Sequence, residues 1–217
     1  MKRYDIGNVG NSEFEPGSRR RVLRNTQSIT STKRASAIES DLLVVAQQES
    51  LTYVETATRF TPNLLAKMHK LWLGSFYPMA GEYRVVDLSK GGFTFCHALY
   101  VPEQMERFGA TELARCTPCA GPISEVAEKL AIVHAEFLMI HPFRDGNGRL
   151  ARWLADLMAL QAGHPAPDYS LEGARRKDYF AAVRRGFLGD YGPLAALFVS
   201  WIERALQEQP PMQPPKQ

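Results

Sequence analysis

The sequence predicts an all-α domain carrying one small β-hairpin. Apolar residues recur at helical spacing in successive segments of the chain. The one clear β signal is a pair of short β-prone runs, Glu82 to Asp87 and Phe93 to Phe95, around Ser89-Lys90-Gly91-Gly92. With 217 residues, 45% hydrophobic and 23% charged, the chain suits one domain able to bury a core.

Residues 1 to 32 are rich in Gly, Asn, Ser and Arg, and the run Arg19 to Arg24 is basic without periodicity. We expect an irregular, solvated basic arm there rather than an anion-binding one. A helix is expected over 33–49. Thr61-Pro62 offers an N-cap followed by proline at the first helical position, and Leu64, Leu65, Met68, Leu71 and Trp72 share one face before Gly74. Ser124 is the expected cap of a helix whose stripe is Val126, Leu130, Val133, Phe137 and Ile140. Leu150, Leu154, Leu157 and Met158 form another stripe, closed by Gly163 and Pro165. Tyr179, Phe180, Val183 and Phe187 mark a further helix, and Pro193 opens the last, over Leu194 to Leu206. The folded domain is expected over 33–206, with a proline-rich tail over 207–217.

A net charge of +3 is too small to argue for a nucleic-acid partner. No apolar run reaches the roughly 18 residues that span a bilayer, and no apolar stretch follows Met1-Lys2-Arg3 to suggest a secretory signal. Three cysteines make no disulfide framework, so a cytoplasmic, reducing setting is expected. Cys116-Thr117-Pro118-Cys119 lacks the second pair of a zinc site and the βαβ context of a redox motif, and is read as structural. His134 and His141 have no third ligand beside them, which discounts a zinc hydrolase. Trp72, Phe76 and Tyr77 read as core, and Arg175-Arg176-Lys177 as a solvated face.

Chemistry concentrates in residues 141 to 152, His-Pro-Phe-Arg-Asp-Gly-Asn-Gly-Arg-Leu-Ala-Arg. Pro142 cannot continue the preceding helix, so His141 stands at a helix exit. Gly146-Asn147-Gly148 is permissive backbone just before a new helix, where converging N–H groups attract an anion. Arg149 and Arg152 share a face of that helix's first turn. The helix dipole disfavours a cation there by about 0.3–1 kcal/mol, so two guanidiniums make sense if a phosphate completes the site. Asp145 beside a polyphosphate calls for a bridging cation, and Mg²⁺ binds through one or two carboxylates plus phosphate oxygens. His141 titrates near neutrality when unperturbed and suits a general base.

The segment matches the signature H-x-F-x-[DE]-G-N-G-R-x-x-R at every specified position, and the chain over about 40–205 resembles the Fic family, a helical bundle with one hairpin "flap". The resemblance implies a protein adenylyltransferase that moves AMP from ATP-Mg to a Tyr, Thr or Ser hydroxyl of a target protein, with self-modification as a side activity. It implies His141 as the base, Phe143 as a core anchor of the loop, Asp145 as the Mg²⁺ ligand, and Gly146, Asn147 and Gly148 as the anion hole. Arg149 would hold the β-phosphate and Arg152 the γ-phosphate. The related Doc kinases carry lysine where this chain has Gly148, which disfavours direct phosphorylation. The flap, over 82–96 and chiefly Ser89, Lys90, Gly91, Gly92 and Phe93, would receive the target as an added strand.

Many Fic proteins also carry an inhibitory helix with the pattern [ST]-x-x-x-E-[GN]. The nearest match is Ala35-Ser36-Ala37-Ile38-Glu39-Ser40, which departs at both flanks. Glu39 is the candidate inhibitor, expected to pair with Arg152 while Ser36 supplies the missing hydroxyl. Otherwise an antitoxin-like subunit would supply the glutamate. Transfer of another nucleotide, removal of AMP, and a non-catalytic phosphate-binding module are the competing readings.

Overall fold

The computed structural model describes residues 5–6, 13–52 and 54–208. Its elements follow in chain order: β1 (Asp5–Ile6), α1 (Thr32–Ser50), α2 (Pro62–Leu73), β2 (Leu88–Lys90), β3 (Phe93–Thr94), α3 (Val101–Phe108), the single turn α4 (Ala114–Cys116), α5 (Ile123–Ile140), α6 (Asn147–Gln161), α7 (Gly173–Gly186) and α8 (Gly192–Glu208). The all-α expectation with a small hairpin holds. The segment from α3 to α4, joined by a wide helical turn over Gly109–Leu113, carried no sequence signal that we read.

Helix α5 is the axis of the fold, packed against α3, α6, α7 and α8. Its apolar content exceeds one stripe: Val126, Ala127, Leu130, Ala131, Val133, Phe137 and Leu138 are all buried. A helix enclosed on several sides needs apolar residues all round. Helix α1 instead lies against α2 at the rim of the bundle.

Local chemistry sets several boundaries. The Thr61 hydroxyl accepts the Leu64 amide at 3.2 Å, capping α2 as expected. Helix α5 starts one residue ahead of the expected Ser124 cap. Pro122 is extended (ψ 163) and its carbonyl takes the Val126 amide at 3.0 Å, so Ser124 falls inside the helix. At the other end His141 adopts φ 53, ψ 58 and stops the helix. Helix α8 runs through Glu208, two residues past the expected domain end, and the tail beyond lies outside the described residues.

The flap differs from expectation in two ways. The first strand is Leu88–Lys90, not Glu82–Asp87, because the Arg84 amide is spent on the Pro142 carbonyl at 2.8 Å rather than on a ladder. Gly91 and Gly92, both at positive φ (59 and 78), make the turn, and Lys90 pairs with Phe93. A third strand then adds to the outer edge of β2: Asp5 lies opposite Ser89 and Ile6 opposite Leu88, antiparallel.

Within the N-terminal arm, residues 13–31 are irregular, yet docked rather than solvated. Phe14, Val22, Leu23 and Ile29 are buried, and Phe14 bridges to Leu23. Asn25 closes the arm locally, donating to the Leu23 and Ile29 carbonyls at 3.0 Å each and accepting the Ile29 amide at 2.8 Å. Arg19, Arg20 and Arg21 remain on the exposed tip, as do Arg175, Arg176 and Lys177 on α7. No helix among the described residues is long and apolar enough to cross a membrane.

Candidate active site

The loop from His141 to Gly146 links α5 to α6 and is closed by its own asparagine. The Asn147 side chain accepts the Phe143 amide at 2.9 Å and donates to the Phe143 carbonyl at 2.7 Å. Phe143 is fully buried, stacked on His69 with ring centroids 4.0 Å apart. Gly146 (φ +84) has no room for a side chain: a Cβ there would meet Trp72 at 2.9 Å and His69 Nε2 at 3.3 Å.

At the start of α6, the Arg149 and Leu150 amides both return to the Gly146 carbonyl at 3.0 Å. The amides of Asn147 and Gly148 make no such bond among the described residues, leaving two helix-terminal donors for an anion. A Cβ on Gly148 would have only the Arg152 guanidinium nearby, at 3.9 Å. Asp145 is buried, its Oδ1 accepting the Gly146 amide at 2.6 Å and lying 3.9 Å from Arg149.

His141 is buried, with Nδ1 3.1 Å from the Leu138 carbonyl. A carbonyl only accepts, so the proton sits on Nδ1 and Nε2 carries the lone pair. The Phe95 ring stacks on the imidazole at 3.7 Å. Burial holds this imidazole down at about 3, against a weaker opposing pull from the Leu138 carbonyl. His141 is therefore neutral at pH 7.

Glu39 on α1 enters the site and is completely buried. Its ion pair is with Arg149, at 2.8 Å, not with the expected Arg152. The physical reason is the placement of α1 on α2: the Trp72 indole donates to the Glu39 carbonyl at 2.7 Å and the Tyr77 hydroxyl to Oε1 at 2.6 Å. The Arg149 guanidinium also lies 4.6 Å over the Trp72 ring, so one indole orients both partners. Arg152, one turn along, has its guanidinium 5.9 Å over the Tyr169 ring, with no ion pair among the described residues. Ser36 is exposed and does not replace the missing hydroxyl.

Comparison with known proteins decides what this assembly belongs to. The Fic/DOC family profile matches residues 59–159, which hold α2, the hairpin, the loop and nearly all of α6. The chain carries a Fic/DOC-family domain. It is 32% identical over 144 residues to protein adenylyltransferase fic-1 of Caenorhabditis elegans, covering 66% of this chain and 27% of that protein. It is 26% identical over 189 residues to a probable protein adenylyltransferase Fic of Salmonella typhimurium, covering 87% and 91% of the two chains. The fold is shared with the BepC protein of Bartonella tribocorum, a structure holding AMPPNP, at TM-score 0.69 and 20% identity over 82% of this chain and 91% of that one. This chain thus spans only about a quarter of the nematode relative's length.

Three residues that hold the Fic loop escaped the sequence reading. Arg84, buried between flap and loop, donates from Nε to the His141 carbonyl at 2.7 Å, from Nη1 to Val86 at 2.7 Å, and from Nη2 to the Ile140 and Cys96 carbonyls. It fastens the flap base to the end of α5. His69 accepts the Gly81 amide on Nδ1 at 2.8 Å and donates from Nε2 to the Asp145 carbonyl at 3.0 Å. Phe95, within the expected flap but read there only as part of the hairpin edge, covers His141. The legible clue was His69 itself, a polar residue on the buried stripe of Leu65, Met68 and Trp72. Trp72 and Tyr77 are core, as expected, but they also hold Glu39.

Cys116 and Cys119 are free and buried, and no group of three or more His, Cys, Asp or Glu among the described residues could hold a metal. His134 is packed inside, bonded to the Tyr179 hydroxyl at 2.9 Å.

Proposed function

We propose that this Fic domain transfers AMP from ATP to a Tyr, Thr or Ser hydroxyl of a target protein. The observation that carries the proposal is the 3.1 Å contact of His141 Nδ1 with the Leu138 carbonyl, which assigns the ring proton to Nδ1 and leaves Nε2 as the basic nitrogen at the end of α5. Names of relatives with the same activity, and a nucleotide analogue bound to one of similar fold, support it.

In this reading the polyphosphate sits against the amides of Asn147 and Gly148, with Arg149 on the β-phosphate and Arg152 on the γ-phosphate. His141 Nε2 takes the proton of the attacking hydroxyl as its oxygen bonds to the α-phosphorus and pyrophosphate leaves. The imidazole is neutral at the outset, and a polyphosphate's negative charge beside it counters the burial that depresses its basicity. Arg84 fixes the His141 carbonyl and so the ring's direction.

The residues fit a magnesium ion. One carboxylate, Asp145, faces Arg149 at 3.9 Å where phosphate would lie, and an ion bound by one protein oxygen takes its other ligands from phosphate and water. Asp145 would hold it, and it would neutralise phosphate charge.

Glu39 occupies the guanidinium that the phosphates need, so the chain as folded is restrained. A partner subunit is then not required to supply the glutamate. Because Glu39 reaches the site, removal of AMP from a modified target is the second reading. Labelled ATP, Mg²⁺ and a lysate decide between them: transfer by Glu39→Gly that is lost in the His141→Ala double variant supports transfer. Release of AMP from labelled protein by the parent chain supports removal. Neither result with either chain would sink the enzymatic proposal.

A further inference from the structure

The outer edge of β2 already has an occupant, and it belongs to this chain. On its other side the hairpin faces the helices: Phe93 stacks on Phe187 at 4.5 Å, Phe95 on His141 at 3.7 Å, and the Cys96 amide donates to the Met139 carbonyl at 3.2 Å. That leaves the Leu88–Lys90 edge as the side where a strand can add, and β1 adds there in antiparallel register.

We infer that the Leu88–Lys90 edge is a strand-docking surface held by Asp5–Ile6, and that an extended segment of a target protein must displace this N-terminal strand to dock. The inference rests on the proposed transferase reading for what the docked segment is, and on the observed pairing for where it docks.

The physics favours exchange. A three-residue edge strand offers few unpaired backbone groups, and any extended peptide satisfies them as well as another. Specificity by backbone alone is weak, so a tethered competitor wins by its high local concentration against a dilute one. Among the described residues the resident strand pairs through Asp5 and Ile6, and a segment that pairs along the whole edge competes with it for the same backbone groups. This restraint is separate from the Glu39 ion pair, since it blocks the acceptor rather than the nucleotide.

The test uses the full-length chain. Of two adjacent strand residues, one amide faces the neighbouring strand and the other faces away, so Asp5→Pro and Ile6→Pro are both made, with Ile6→Val as the control that keeps the amide. Hydrogen exchange at Leu88, Ser89 and Lys90 reports the pairing. One or both proline variants should exchange at least about tenfold faster there than the parent and the valine control. In the Glu39→Gly background, the same proline variant should raise label transfer from ATP to lysate proteins several-fold. A synthetic peptide of residues 1–12 should then reduce it and restore protection, while a scrambled peptide should not. Equal exchange in all variants overturns the inference. Faster exchange with unchanged transfer also overturns it, because the edge is then not the acceptor's seat. No transfer from any variant instead sinks the transferase reading, while exchange still decides the strand.

Discussion

Glu39 and Arg149 lie 110 positions apart in sequence and form an ion pair at 2.8 Å, with the carboxylate wholly buried and the guanidinium partly exposed. The pair is asymmetric. Glu39 is also held by Tyr77 and Trp72, whereas Arg149 keeps solvent contact and a cation–π contact. The arginine is therefore the partner that can turn to another anion.

Replacing Glu39 by Gln should release Arg149 while keeping an acceptor for the Tyr77 hydroxyl. We expect a loss of stability of about 1–3 kcal/mol, from a buried charge network cut at one partner, and tighter binding of an ATP analogue. Chemical denaturation and calorimetric titration measure the two effects on one preparation. Weaker nucleotide binding would contradict the assignment of Glu39 as a restraint.

His69 gives the domain an acid limit. Burial lowers its imidazole to about 4, and its Nδ1 must stay unprotonated to accept the Gly81 amide. Between that value and the unfolded value near 6.5, the unfolded chain binds the extra proton. Stability from this group should be full above about 6.5 and fall as pH drops toward 4, by on the order of 3 kcal/mol. His134 and His141, both lowered to about 3 by burial, act with the same sign. Thermal melts of His69→Gln across pH 4 to 7 should show a shallower slope than the parent.

Asp156 works in the opposite direction. Burial raises its carboxyl to about 7, against the Tyr169 hydroxyl that bonds to it at 2.7 Å. From its unfolded value near 3.8 up to about 7, the folded chain holds more protons, so stability falls as pH rises through that window. Asp156→Asn keeps an acceptor for Tyr169 without the charge. It should gain melting temperature relative to the parent at pH 8 and little at pH 5; equal differences at both pH values would refute the titration.

Phe95→Ala should uncover His141. With less desolvation the imidazole should move up toward the ordinary range near 6.5, visible as a shifted titration of its ring proton by NMR. Label transfer should fall, because the ring loses the stack that fixes its plane. An unmoved titration would show that Phe95 is not what keeps His141 dry.

Much of this molecule was written in short stretches of sequence. The Thr61 cap, the proline that ends α5, the two-glycine turn of the flap and the glycine ahead of α6 all follow from backbone rules that act within a few residues. The twelve residues from His141 to Arg152 also carried the family signature. What sequence did not contain was the identity of partners across the fold. That Glu39 meets Arg149 and not Arg152, that His69 links Gly81 to Asp145, that the basic arm docks through Phe14 and Leu23, and that Asp5–Ile6 lies on the flap each depends on how α1, α2 and the arm sit against the loop. Helical spacing tells which face of α1 is buried, but it leaves open the axial position and rotation of that face. Arg149 and Arg152 stand three residues apart on α6, about 4.5 Å along its axis and about 300° around it, so only tertiary packing could choose between them.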